Sequence, residues 1–297
     1  MTEPRPPPDA PPLLPEASKA FRPERVLKGR YELEVRLASG SMGSVWRARD
    51  LELDRLVAIK VPALESLRHP TFRERFRREV KRMIAFEHPH IVRLYDMGEE
   101  ERVPFAVLAY MEGGNLGDRV KRLGRGSPAH LSASDVAAWL APLAEALDFI
   151  HARGVVHRDM KPENVLFDAA HHVYLADFGI SKAQGLERSL TPDHFLVGTV
   201  RYIAPEAIAE DTLTGAFDQY SLATVVFEVL TGATPFGGGM ATILRRKMLE
   251  EAPHLAAITP GAPLPPAMDA AITRALSRSP AARFPTCGAF VAALLSR

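Results

Sequence analysis

The apolar residues of this chain change their spacing part-way along, and that change limits the folds open to it. Residues 31–61, 91–96 and 104–110 contain short apolar, β-branched runs separated by charged or glycine-bearing turns, the pattern of strands. Between them Phe72, Phe76, Val80, Met83 and Ile84 recur at helical spacing, with Arg and Glu interleaved. Beyond Gly113-Gly114 helical spacing takes over: Val136, Leu140, Leu143, Leu147 and Ile150, then residues 218–230, 241–250, 266–276 and 288–296. Two short apolar runs at 164–167 and 173–176 interrupt it and read as a hairpin. The expected fold class is α+β and bilobal: a small β-rich N-lobe with one main helix, about residues 29–111, and a larger α-helical C-lobe, about residues 115–297. A length of 297 residues suits one large domain or two lobes.

Residues 1 to about 28 are set apart by their prolines, Pro6-Pro7-Pro8 and Pro11-Pro12 among them, and are expected to be a disordered tail. The net charge of +1 offers no global field for nucleic acid or an anionic membrane. The arginines of residues 68–82 alternate with apolar residues and include Glu74 and Glu79, so they read as an exposed helix face and not a nucleic-acid site. No apolar run reaches the roughly 20 residues of a spanning helix; residues 136–150 and 221–230 are interrupted by Glu145 and Glu228. The single cysteine, Cys287, excludes a disulfide framework and reads as a small buried hydrophobe. A cytoplasmic location is expected. The pairs His88 with His90 and His171 with His172 lack thiolates or carboxylates at metal-ligand spacing and read as turn histidines.

Four short motifs carry chemistry. In Leu37-Ala38-Ser39-Gly40-Ser41-Met42-Gly43-Ser44-Val45, small residues between two strands let backbone N–H groups approach phosphate oxygens, and Leu37 and Val45 suit the flat face of a base. A glycine-rich hairpin without a ligand accounts for the segment equally well. Lys60 ends the apolar strand Val57-Ala58-Ile59-Lys60, where an ammonium calls for an anion or a route to water, and Glu79 in the next helix is a carboxylate able to turn toward it. In His157-Arg158-Asp159-Met160-Lys161-Pro162-Glu163-Asn164, Asp159 can orient an attacking hydroxyl and Asn164 offers a carbonyl oxygen to a hard cation. Lys161 sets positive charge where a transferring phosphoryl group gathers negative charge. Asp177, in Ala176-Asp177-Phe178-Gly179 after a predicted strand, suits a magnesium ligand or a plain turn.

In this order and spacing the motifs resemble the protein-kinase family, over about residues 31–297, and most closely the bacterial serine/threonine kinases of the eukaryotic (Hanks) type. Ala204-Pro205-Glu206 resembles the end of the activation segment. Asp218 resembles the buried aspartate opening the next long helix, Arg283 the late arginine that pairs with Glu206, and His88-Pro89-His90-Ile91-Val92 the loop after the lysine-pairing helix. Lys161 and Gly198-Thr199 ahead of Arg201-Tyr202 resemble the serine/threonine branch.

The resemblance implies a protein-kinase-like fold that binds ATP with magnesium, or manganese in its place, and transfers the γ-phosphate to Ser/Thr hydroxyls of protein substrates. It makes Asp159 the catalytic base, Lys60 the phosphate-binding lysine held by Glu79, and Asn164 and Asp177 the metal ligands. Ala38, Val45, Ala58, Leu37 and Leu166 would enclose the adenine. Leu108 would back the pocket, and the backbone of Ala109, Tyr110 and Met111 would meet the base edge. Phe178, His157 and Met83 would form an apolar column. Arg158 beside Asp159 implies a phosphate on the activation segment, on Thr191 or else Ser189. Self-association of two chains that phosphorylate one another is compatible with the resemblance but not implied by these residues. Ala38 departs from the family's first loop glycine, and Ala109 from its usual acidic hinge residue. An ATP-binding pseudokinase scaffold without transfer is the alternative. Many bacterial members continue into a membrane helix and an outer domain; a sequence ending at Arg297 fits a soluble kinase or the catalytic part of a longer chain.

Overall fold

The alternation of Val57, Ile59 and Val61 with Ala58 and Lys60 builds an inner strand of a six-stranded antiparallel sheet. The structure, a computed structural model, describes residues 21–40, 43–123, 133–177, 199–209, 212–258 and 265–296. It has two compact units, Met1–Ala85 with Arg93–Tyr110, and Phe86–Val92 with Met111–Arg297.

In the first unit the strands are β1 (Val26–Leu27), β2 (Tyr31–Gly40), β3 (Gly43–Asp50), β4 (Arg55–Pro62), β5 (Leu94–Glu100) and β6 (Val103–Ala109), in the order β1-β2-β3-β4-β6-β5. Val26 and Leu27, within the stretch expected as tail, pair with Glu32 and Tyr31. One helix, α1 (Phe72–Ile84), packs on β5 and β6. It does so because Phe72, Phe76, Val80 and Met83 fall on one face and are all buried. Removing each such side chain from water contributes about 2 kcal/mol. Lys81 and Arg82 in its last turn complement the helix dipole.

The expected strand at 91–96 starts only at Leu94. Ile91 and Val92 belong to the second unit, where the Val92 N–H donates to Leu175 O (2.9 Å) and the Leu175 N–H to His90 O (2.8 Å). The apolar pair is buried there and both its N–H groups are paired, that of Ile91 with His88 O at 3.2 Å. The second unit is otherwise helical: α2 (Leu116–Leu123), α3 (Ala133–His151), α4 (Pro205–Ile208), α5 (Gly215–Thr231), α6 (Met240–Leu249), α7 (Leu255–Ile258), α8 (Pro266–Ala275) and α9 (Cys287–Leu294). Between α3 and α4 lies a two-stranded hairpin, β7 (Val165–Phe167) with β8 (Val173–Leu175).

Helix α5 is the centre of this unit. Phe217, Tyr220, Leu222, Val225, Val226 and Phe227 point in all directions around it and all are buried, with α3, α8 and α9 packed on it. It starts at Thr214, whose Oγ1 accepts from the Ala216 N–H, and stops at Gly232, a left-handed residue (φ +73°) whose N–H closes onto Glu228 O at 2.7 Å. Helix α9 is tied to α3 by Asp148, whose carboxylate accepts the N–H groups of Cys287 and Gly288, each at 2.8 Å. Cys287 is buried as expected, and burial pushes its thiol up. Among the described residues no helix is long and apolar enough to cross a membrane.

Candidate active site

Strand register brings the expected nucleotide residues of the first unit onto one face of the sheet. Residues directly opposite in an antiparallel pair share a face, as do residues two apart along a strand. Ala38 faces Val45, Val45 faces Lys60, and Ala58 faces Leu108, so these five side chains line one surface. Val57, Ile59 and Val61 take the opposite, fully buried surface. Leu37 sits at a register shift between Arg36 and Ala38 and is 46% exposed; Ser39 and Gly40 are exposed too, and Ser44 accepts a hydrogen bond from Trp46 Nε1 (3.1 Å). Ser41 and Met42 lie outside the described residues.

Gly43 has a structural reason that the sequence did not disclose. Its φ is +118°, and a Cβ there would collide with the Val61 carbonyl of β4. A Cβ at Gly40 would meet open space. Only Gly40 of the two is thus left as a residue whose bareness serves approach from outside.

Lys60 is buried at 8% exposure on the shared face. Glu79 is not brought to it. The Glu79 carboxylate is held within its own helix by Arg82 at 3.2 Å and Arg78 at 4.0 Å, and among the described residues no ion pair joins it to Lys60. Glu79 sits on the flank of the buried stripe, where an arginine one turn on competes for it. Of the stretch expected to meet a base edge, the Ala109 N–H is already donated to Arg93 O at 2.9 Å; Tyr110 and Met111 are half-buried.

In the second unit the loop of residues 157–164 is held by Asp218, fully buried in the first turn of α5. Its two oxygens accept the backbone N–H of His157 (2.7 Å) and of Arg158 (2.9 Å), and Oδ2 also meets His151 Nε2 (2.7 Å). These bonds hold Arg158 in the left-handed region (φ +68°), which a non-glycine residue occupies only when its surroundings impose it. The chain then turns so that Asp159 is 8% exposed. Its Oδ2 accepts from Lys161 Nζ (2.7 Å) and Asn164 Nδ2 (3.0 Å), while Oδ1 is buried with no hydrogen-bond partner. A buried carboxylate oxygen left open beside a fully used one is a built acceptor for a hydroxyl proton.

Asn164 spends its amide N–H groups on Asp159, on the side chain and on the main-chain oxygen (2.7 Å). Its carbonyl oxygen is the group it has to offer a cation. The Asn164 main-chain oxygen accepts the Ala176 N–H (2.9 Å), and His157 Nε2 reaches Ala176 O (2.8 Å), while His157 Nδ1 accepts from the Asp159 N–H (3.2 Å). The imidazole proton therefore sits on Nε2. This circuit joins Asp159, Asn164 and the strand leading to Asp177, itself left-handed at φ +63°. A carboxylate and an amide carbonyl are hard oxygen donors and fit magnesium. Leu166, half-buried, projects from β7 opposite the buried Val165 and Phe167. Gly113 and Gly114, expected as a linker, pair with β7: the Gly113 N–H donates to Phe167 O (2.8 Å) and the Phe167 N–H to Gly114 O (2.9 Å).

Phe178, Gly179, Ser189, Thr191 and Gly198 lie outside the described residues. After them, Glu206 of the Ala204-Pro205-Glu206 segment forms a two-point pair with Arg283, at 2.6 and 2.8 Å. Three contributors escaped sequence reasoning: His151, the bond from the Tyr202 hydroxyl to Glu228 (2.6 Å), and Lys247, whose Nζ reaches two main-chain oxygens near Glu206. Lys247 alone left a signal, being a charged residue four positions after the buried Ile243 on the apolar side of α6.

The family described as protein kinase domain matches residues 31–293. The serine/threonine-protein kinase PknB of Mycobacterium tuberculosis is 38% identical over 268 residues, 88% of this chain and 41% of that protein. PknH of the same organism is 36% identical over 261 residues, 88% of this chain and 40% of that protein. The chain thus spans less than half the length of these curated relatives. Among solved structures, the Mycobacterium tuberculosis PknI kinase domain superposes with a TM-score of 0.71 at 29% identity, covering 93% of this chain and 98% of that one. With a protein kinase domain match over residues 31–293, the chain belongs to the protein kinase family.

Proposed function

We propose that the protein is a serine/threonine protein kinase that transfers the γ-phosphate of ATP to hydroxyl groups of protein substrates. The observation that carries this reading is Asp159, with Oδ2 fixed by Lys161 and Asn164 and Oδ1 buried and open. A serine or threonine hydroxyl donating to Oδ1 is oriented for attack and gives up its proton as the new O–P bond forms. Lys161, already 2.7 Å from Asp159, supplies positive charge where the transferring group carries negative charge. The face holding Ala38, Val45, Ala58, Lys60 and Leu108 is apolar around one ammonium, which suits an adenine with its phosphates. Asn164 and Asp177 would hold magnesium, which neutralises phosphate charge when bound.

The protein substrate would be received on residues 199–206, the backbone leading into Pro205-Glu206. Thr191 is the proposed site of self-phosphorylation, with Ser189 in reserve, its phosphate answering the guanidinium of Arg158, whose Nε is buried without a partner. One observation favours a second reading, an ATP-binding scaffold without transfer: Glu79 is engaged by Arg82 and Arg78. Incubation with Mg-ATP and a generic protein substrate, followed by mass spectrometry, separates the two. Phosphoserine or phosphothreonine from the native protein, formed far more slowly by Asp159→Asn, supports the kinase; nucleotide binding without transfer supports the scaffold.

A further inference from the structure

Lys247 lies on α6 one turn beyond Ile243 and is 1% exposed. A lysine normally carries its ammonium to water, and burying one is costly unless it does something a methionine of similar shape could not. Here Nζ donates to Arg201 O at 2.9 Å and to Ile203 O at 2.7 Å. The residue between them, Tyr202, is fixed from its side chain through the bond to Glu228. Three consecutive residues are thereby held, two by their carbonyls and one by its hydroxyl, one residue short of helix α4, which opens with Pro205-Glu206. Lys247 Nζ also stands 4.9 Å from the Tyr220 ring centroid, with the Glu206–Arg283 pair beyond.

We propose that Lys247 is a positioning residue for protein-substrate docking: by fixing the Arg201 and Ile203 carbonyls it sets the backbone path on which an acceptor peptide lies. The proposal rests on the kinase reading above and goes beyond it by separating peptide affinity from nucleotide handling. Burial pushes the Lys247 ammonium down to about 7, with Glu206 opposing the fall and Arg283 adding to it. The clamp survives that titration, because a neutral amine keeps two protons for two carbonyls.

The variant Lys247→Met fills the same space without a donor, and Lys247→Gln, which keeps one donor group, serves if the first fails to fold. Three readings are taken on native and variant protein: KM for a peptide acceptor, KM for ATP, and amide hydrogen exchange over residues 200–204. Two unsatisfied carbonyls predict a peptide KM raised about tenfold, exchange at 200–204 faster by a similar factor, and KM for ATP within about twofold of native. Native transfer with an unchanged peptide KM, or with both KM values rising together, would overturn the docking role alone. Absence of transfer by the native protein would overturn the kinase reading and the docking role with it.

Discussion

Glu206→Gln is a sharp test of how the second unit is held. Native Glu206 and Arg283 are 4% and 0% exposed, and the guanidinium has few alternatives to this carboxylate. Its Nη1 also donates to Ala216 O (2.9 Å), its Nε to Ser277 O (2.9 Å) and its Nη2, weakly, to Arg278 O (3.3 Å), while its central carbon lies 4.9 Å from the Tyr220 ring centroid. The glutamine keeps the volume, removes the negative charge and turns an N–H toward another N–H. Leaving a buried charge without its counter-ion costs about 3–5 kcal/mol. Against a typical total of roughly 5–15 kcal/mol that is a large share. In a domain of this size the loss corresponds to a melting temperature lower by about 10 °C. Urea and thermal unfolding followed by circular dichroism measure it. The double variant Glu206→Met with Arg283→Met should lose less than Glu206→Gln, because it removes both desolvation penalties along with the pair. A Glu206→Gln protein within about 1 kcal/mol of native would refute the reasoning, since the buried guanidinium would then have found compensation elsewhere.

Two further stability predictions follow from single side chains. Gly43→Ala should destabilise the sheet by about 2 kcal/mol or more in thermal unfolding, because the new methyl group meets the Val61 carbonyl at a φ of +118°, whereas Gly40→Ala should change stability by less than about 1 kcal/mol. Lys247 makes stability pH-dependent: its folded pKa, about 7, lies below the unfolded 10.5, so between these values the unfolded chain binds more protons and stability rises with pH. The native protein should therefore gain on Lys247→Met from pH 7 to pH 9, by an amount on the order of 2 kcal/mol. A flat difference between the two proteins over that range would place the lysine's titration elsewhere.

Much of this site is legible from sequence because its geometry is local. Asp159, Lys161 and Asn164 are five residues apart at most, so a single turn, held in shape by Asp218, brings them together, and the bonds among them fall at 2.7–3.0 Å. Strand alternation made Val57, Ile59 and Val61 readable as core and set Ala58 and Lys60 on the other face. The Glu79 side chain was not legible in this way. Its backbone position follows from helical spacing, but the partner its carboxylate takes depends on which charges lie within reach, and Arg82 and Arg78 of its own helix do. Gly43 was read for its openness to phosphate, while the demand comes from β4, a strand paired to it across a hairpin. Lys247 shows in the sequence only as a charge on the apolar side of its helix, and its partners, main-chain oxygens more than forty positions away, leave no mark on the residues around it.

Phosphoryl transfer at Asp159 is the central claim, and mass spectrometry of the protein after incubation with Mg-ATP and a generic substrate tests it most directly. The native protein should place phosphate on serine or threonine hydroxyls, Thr191 of its own chain included. Asp159→Asn, which keeps the shape but loses the acceptor charge, should be slower by about a hundredfold to ten-thousandfold. Transfer by Asp159→Asn at the native rate, or a native protein that binds ATP and transfers nothing, would contradict the account.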